Sequence, residues 1–239
     1  MNLQTLQHKP KSLGYNYDGI PIFCTGGIHE NIFTAFTKKN MPKECSILVL
    51  GSGAGAFEKR LLNHGYTHIT SVEFVPENFL VTGTNFLSLD LNKDFSHLGT
   101  FDVIFAIELI EHLENPFHFI RCVKELLHKD GFFYLSTPSL ENTFARIKFL
   151  LVGRLQWFTS AELGATGHIS PILNHILIFN LHQSNLKIRE HFSNANIWSK
   201  VLQHRNYAIK GIYFFAFLFS FLLPNTDARE INLFEITHS

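Results

Sequence analysis

The sequence predicts a three-layer α/β fold in which helices cover both faces of a mostly parallel sheet, and three observations predict it. Short apolar runs alternate with helical patterns along most of the 239 residues. The first of those runs ends in a glycine turn that leads straight into a helix. Hydrophobic residues supply 46% of the chain against 17% charged, enough apolar material for one large core in one elaborated domain.

The elements follow in order. Ile28 to Lys39 carries Ile28, Ile32, Phe33, Ala35 and Phe36 at helical spacing and is stopped by Asn40 and Pro42, a covering helix that closes an N-terminal segment 1–45. Ser46 to Leu50 (SILVL) is a buried strand, GSGAG a turn, and Ala54 to Asn63 a helix. His68 to Phe74 reads as a strand, Pro76 to Val81 as a short helix, and Asn85 to Leu89 as a strand. Phe101 to Ile107 is a strongly apolar strand; Asn115 to His128 is an amphipathic helix that Gly131 closes before the strand Phe132 to Ser136. Beyond Pro138 come helices at Phe144 to Val152 and Pro171 to Gln183, strands at Leu186 to His191 and Ile231 to Ile236, and between them an apolar stretch from Tyr207 to Leu223. Only a doubly wound arrangement buries both faces of such a sheet, and its chemistry belongs at the carboxyl ends of the strands.

Charge narrows the function. Lys+Arg at 20 balance Asp+Glu at 20, so no global field draws the chain onto nucleic acid. Cys24, Cys45 and Cys122 are too scattered for a disulfide framework or a CxxC zinc site, and the polar first residues lack a secretory apolar run; both point to the cytoplasm. Cys122 reads as core, and His64, His68, His118, His128, His175 and His182 show no ligand spacing.

Gly51, Gly53 and Gly55 allow the backbone to approach a ligand closely, and the helix that follows offers its amides. Glu73, 18 residues beyond Gly55, ends the next strand, where a carboxylate can accept both hydroxyls of a ribose. The ordered set ILVLGSGAG, SVEF, FDVIFAIELIEHL and KELLHKDGFFYLSTPS resembles the class I S-adenosylmethionine-dependent methyltransferases, over roughly Glu44 to Ile236. That resemblance implies a Rossmann-like sheet of seven strands in the order 3-2-1-4-5-7-6, with the last strand antiparallel. It implies that Gly51, Ser52, Gly53 and Gly55 wrap the methionyl and ribose portion, that Glu73 holds the ribose diol and Phe74 flanks the adenine. Asn85, followed by Phe86, stands for the acid that the family commonly places after its third strand, while Ile107 and Glu108 line the methionine end. Where the family usually has an acid two residues before the first glycine, this chain has Val49.

Glu108, Glu111 and His112 follow the fourth strand at i, i+3, i+4, one face of a helical turn. Two carboxylates at that range need a cation, a proton or a basic partner. Together with His168 they form a candidate site for a divalent cation such as Mg2+. The small-RNA 2′-O-methyltransferases and quinone-biosynthesis O-methyltransferases carry a similar ExxEH element, which implies a metal gripping two neighbouring substrate hydroxyls. Without a metal, His112 or His168 would act as general base.

The resemblance also implies acceptor-side inserts at about 139–170 and 193–224. The apolar stretch near the end and RIKFLLVGRLQWF (146–158) permit peripheral contact with the inner face of a membrane through 144–158 and 207–224. The expected reaction is O-methylation of a small-molecule, sugar or lipid-linked hydroxyl. Two alternatives stay open: a nicotinamide-dependent oxidoreductase, although no Tyr-xxx-Lys relay follows the fourth strand, and a catalytically silent adaptor, for which Val49 speaks.

Overall fold

A computed structural model describes residues 14–196 and 229–239, together with Tyr207, Lys210, Gly211, Phe214, Phe215 and Leu218. Most of the apolar stretch Tyr207 to Leu223 and of the insert 193–224 therefore lies outside the described residues.

The chain opens with a hairpin that the alternation did not announce, β1 (Asn16–Tyr17) and β2 (Ile20–Pro21). Its Asp18-Gly19 loop has φ of 51° and 81°, the positive values that a two-residue hairpin turn demands. Arg60 stacks 4.2 Å from the Tyr17 ring and holds the hairpin down. Helix α1 (Ile28–Thr37) then buries Ile28, Ile32, Phe33 and Phe36, as its spacing requires.

Strand β3 (Ile47–Leu50) is wholly buried and lies in the interior of the sheet. It pairs in parallel with β4 (Ile69–Glu73) on one side and β6 (Phe101–Ile107) on the other, Ile47 facing both Ile69 and Val103. Outward from β4 lies β5 (Asn85–Ser88); outward from β6 lie β7 (Leu127–Pro138), β9 (Arg229–His238) and β8 (Leu186–Asn196). The order is β5-β4-β3-β6-β7-β9-β8, and β9 alone runs antiparallel, against both β7 and β8. This is the seven-stranded, mostly parallel sheet that the sequence predicted.

Alternating side chains send the two faces into separate cores. Ile47, Val49, Val103, Phe105 and Tyr134 pack under α1 and α2 (Ala56–Asn63). Leu48, Leu50, Ile104, Leu135 and Phe234 pack under α3 (Pro116–Leu126) and α6 (Asn174–Gln183). At about 25 cal/mol per Å² of apolar surface removed from water, these two layers are the main favourable term in folding.

Three boundaries differ from expectation. Residues 76–81 form no helix beyond a single 3-10 turn, Pro76–Asn78; Phe79 and Val81 instead pack onto the glycine turn. Helix α3 is not closed by Gly131: β7 begins at Leu127 opposite Phe101, and Gly131 sits inside the strand, where a Cβ would lie 2.8 Å from the Asp102 carbonyl. Helix α6 starts at Asn174 rather than Pro171. Two further short helices follow β7: α4 (Thr143–Val152), as predicted, and α5 (Ser160–Ala165), whose Thr159 and Glu162 form a capping box. No helix among the described residues is long and apolar enough to cross a membrane.

Candidate cofactor and metal site

The site collects at the carboxyl ends of β3, β4, β6 and β7. After β3 the backbone turns through Gly51, Gly53 and Gly55 at φ of 71°, 54° and 88°, which a residue with a Cβ adopts only at a cost. Sterics say the same. A Cβ at Gly51 would meet Leu109 at 2.8 Å, and one at Gly55 would meet Val81 at 2.7 Å. Phe23, from the covering segment, closes over Gly53.

Glu73 ends β4 beside this turn. Its Oε2 accepts from the Gly53 amide at 2.8 Å and its Oε1 from the Val75 amide at 3.2 Å. These bonds aim the carboxylate along the turn and leave lone pairs for a diol. Burial raises its proton affinity while the amides hold it down. Phe74, next along, is 54% exposed, an open ring face at the mouth of the site. Val49 is buried in the core under α1, and its carbonyl receives the Ser52 hydroxyl at 3.4 Å.

Asn85 lies away from this end, and Phe86 reaches it only through Phe79, which packs on the glycine turn. The β4–β5 register sets Asn85 opposite Thr70 and Ser88 opposite Glu73, so Asn85 opens its strand, about 10 Å from the carboxyl end. Its amide donates to Thr70 at 3.5 Å, and Phe86 stacks on Phe79 at 4.6 Å. The acid after that strand is Asp90, whose Oδ1 accepts from the Asn92 amide at 3.0 Å.

Ile107 ends β6, half-buried, and Glu108 follows at φ 50°. That left-handed residue breaks the helical face expected for Glu108, Glu111 and His112, and only Ile110–His112 form a turn. The Glu108 carboxylate accepts from the Ser136 hydroxyl at 3.4 Å and stands outside the ligand cluster. Its proton affinity is pushed well up by burial and by the Glu111 carboxylate.

Among the described residues, Glu111, His112 and His168 form a group whose ligand atoms all lie within 4.8 Å of one another. Glu111 is fully buried; its Oε2 accepts from the Thr137 hydroxyl at 3.1 Å, while its Oε1 has no partner. Burial pushes its carboxyl up to about 8. His112 Nδ1 lies 3.2 Å from the Gly167 carbonyl and His168 Nδ1 lies 2.8 Å from the Trp157 carbonyl. A carbonyl only accepts, so each Nδ1 carries the proton and each Nε2 presents a lone pair. Burial, then each other's proximity, pulls His112 down to about 4; burial also lowers His168.

The loop that brings His168 is stitched to the turn it faces. The amides of Ile169 and Ser170 donate to the Glu111 carbonyl at 3.0 and 2.9 Å, and the Ser170 hydroxyl donates to the Leu113 carbonyl. The donor set of one carboxylate and two imidazoles, with an orphaned carboxylate oxygen and both outer nitrogens already engaged, fits a divalent cation. Two imidazoles suit a borderline ion of the Mn2+, Fe2+, Co2+ or Zn2+ kind better than the Mg2+ that two carboxylates suggested.

A family model described as a methyltransferase domain matches residues 26–191. The ubiquinone biosynthesis O-methyltransferase of Actinobacillus pleuropneumoniae is 27% identical over 121 residues, 45% of this chain and 50% of that protein. Its counterpart in Methylocella silvestris is 28% identical over 116 residues, 45% of this chain and 44% of that protein. The chain thus spans about half the length of the curated relatives it matches. Magnesium protoporphyrin IX methyltransferase from Synechocystis, solved with bound SAH, shares the fold at a TM-score of 0.59 and 12% identity, over 88% of this chain and 82% of that one.

Proposed function

The chain belongs to the class I S-adenosylmethionine-dependent methyltransferase family, and on that premise we propose that it transfers a methyl group from S-adenosylmethionine to a hydroxyl oxygen of a small-molecule, sugar or lipid-linked acceptor. The observation that carries the reading is adjacency. Glu111 and His112, which His168 joins from the loop after α5, and the glycine turn follow neighbouring strands at the same end of the sheet, and Leu109, two residues before Glu111, lies against Gly51.

In this reading the backbone of Gly51, Ser52, Gly53 and Gly55, free of side-chain bulk, wraps the methionyl and ribose portion, Glu73 accepts the ribose hydroxyls, Phe74 flanks the adenine and Asp90 receives its amino group. Ile107 and Glu108 line the methionine end. Glu111, His112 and His168 hold a divalent cation, which when bound would acidify an acceptor hydroxyl and fix its direction. The Nε2 lone pair of His112 or His168 can itself take the hydroxyl proton as the oxygen bonds to the methyl carbon and the sulfur–carbon bond breaks. Low proton affinity keeps both imidazoles neutral and ready at pH 7. Methyl transfer proceeds in line, so holding both partners in place supplies much of the rate. The segment 139–170, which includes α4, α5 and His168, is read as the acceptor side, together with 193–224.

Calorimetry with S-adenosylhomocysteine tests the first half: Glu73→Ala weakens binding about tenfold to a hundredfold, the worth of hydrogen bonds to a charged group. No heat from the cofactor product or the cofactor with folded wild-type protein overturns the reading. Labelled cofactor offered with lipid, polysaccharide and nucleic-acid fractions of a lysate identifies the acceptor class. Activity that ignores chelators would remove the cation and leave the histidines as bases.

A further inference from the structure

We propose that the tip of α4 is a membrane-docking device that inserts into an anionic bilayer surface. Residues 142–159 contain three basic side chains, Arg146, Lys148 and Arg154, and no acidic one, in a chain whose total charge is zero. Helix α4 buries only Thr143 and Ala145. Its last turn presents Phe149, Leu150, Leu151 and Val152 at 53%, 82%, 73% and 60% exposure. Each helical residue advances about 100°, so four in succession cover the whole circumference. A helix that docks in a protein groove keeps one apolar face and one polar face. This tip is apolar on every side, a shape that a fluid acyl boundary surrounds and a groove does not.

The flanks match that surface. Gly153, at φ 67°, ends the helix and returns its amide to the Phe149 carbonyl at 2.8 Å, and Arg154 follows exposed to solvent. Cations beside an inserted apolar tip meet anionic headgroups, each at a gain set by local charge rather than by the neutral total. Trp157, three residues on, supplies the carbonyl that holds His168, so docking sets the acceptor side of the site against the bilayer. Only that last link rests on the methyl-transfer reading; the docking stands on the surface itself.

The test is flotation of the whole chain with phosphatidylcholine vesicles, with and without phosphatidylglycerol. Wild type floats with the anionic vesicles. Leu150→Glu combined with Leu151→Glu raises the lipid needed for half-binding by at least about tenfold, and Arg154→Glu reduces the preference for anionic vesicles. S-adenosylhomocysteine binding, measured on the same samples, stays at the wild-type value in both variants and reports folding. Vesicle binding by a wild type that binds no S-adenosylhomocysteine keeps the docking and removes its link to methyl transfer. Wild type that floats with neither vesicle, a double variant that floats like wild type, or a double variant that instead dissociates a dimer in solution overturns the proposal.

Discussion

Glu58 is a fully buried acid in the first turn of α2, and neither carboxylate oxygen has a well-formed hydrogen bond, the nearby Ser52 and Ser71 hydroxyls donating to Val49 and Thr84. Burial lifts its carboxyl to about 7, although the Ser52 and Ser71 hydroxyls pull the other way. Below about 4.5 the folded and unfolded chains both keep the proton and the effect on stability vanishes. Between about 4.5 and 7 the unfolded chain releases a proton that the folded chain retains, so stability falls as pH rises; above 7 the loss is complete, at most about 3 kcal/mol. Glu58→Gln should therefore match wild type in urea unfolding near pH 5 and exceed it progressively towards pH 8. A gap that does not change with pH would mean that water reaches this carboxyl. At this scale residue type and position bring Glu73 to the glycine turn and Glu111, His112 and His168 into one group, whereas Asn85 lies at the start of its strand and Asp90 just beyond its end.

Segment 157–168 holds the His168 ring by a hydrogen bond between its own two ends. Trp157 sits at φ 69°, a left-handed conformation that costs an aromatic residue energy and turns its carbonyl towards His168. Thr159 then caps α5: its hydroxyl receives the Glu162 amide at 3.4 Å, and the Glu162 carboxylate accepts from the Thr159 amide at 2.8 Å. Thr159→Ala should cost about 1 kcal/mol of local order and weaken Mn2+ or Co2+ binding about fivefold, with S-adenosylhomocysteine binding unchanged. Equal weakening of both ligands would show that the loop serves the whole site and not His168. The sequence contains the capping residues, but a six-residue helix is too short to declare itself by periodicity. Strand β5 shows the complement: its length was nearly right, yet register alone told which end faces the site.

The whole molecule is tied from its first helix to its last strand. Glu235, on β9, is 1% exposed and accepts from Lys39 at 2.7 Å and from the Tyr134 hydroxyl at 3.2 Å. Lys39→Met would strand that carboxylate in the core with the Tyr134 hydroxyl as its remaining close partner. The expected loss is about 3 kcal/mol in urea unfolding, partly recovered by Glu235→Gln in the same chain. A loss below about 1 kcal/mol would place water within reach of the pair.

The alternation of apolar runs and the glycine turn determined the layers, the sheet and the residue types of the site, because burial demands a period that the chain writes openly. What only the tertiary structure decided is which of those residues meet. Glu108 is turned from the cluster by one backbone angle, Asn85 is set at the far end of its strand by one register, and His168 joins Glu111 and His112 through amides and carbonyls of a distant loop. Such contacts depend on backbone direction and on hydrogen bonds between distant segments, and neither is encoded in local composition or spacing.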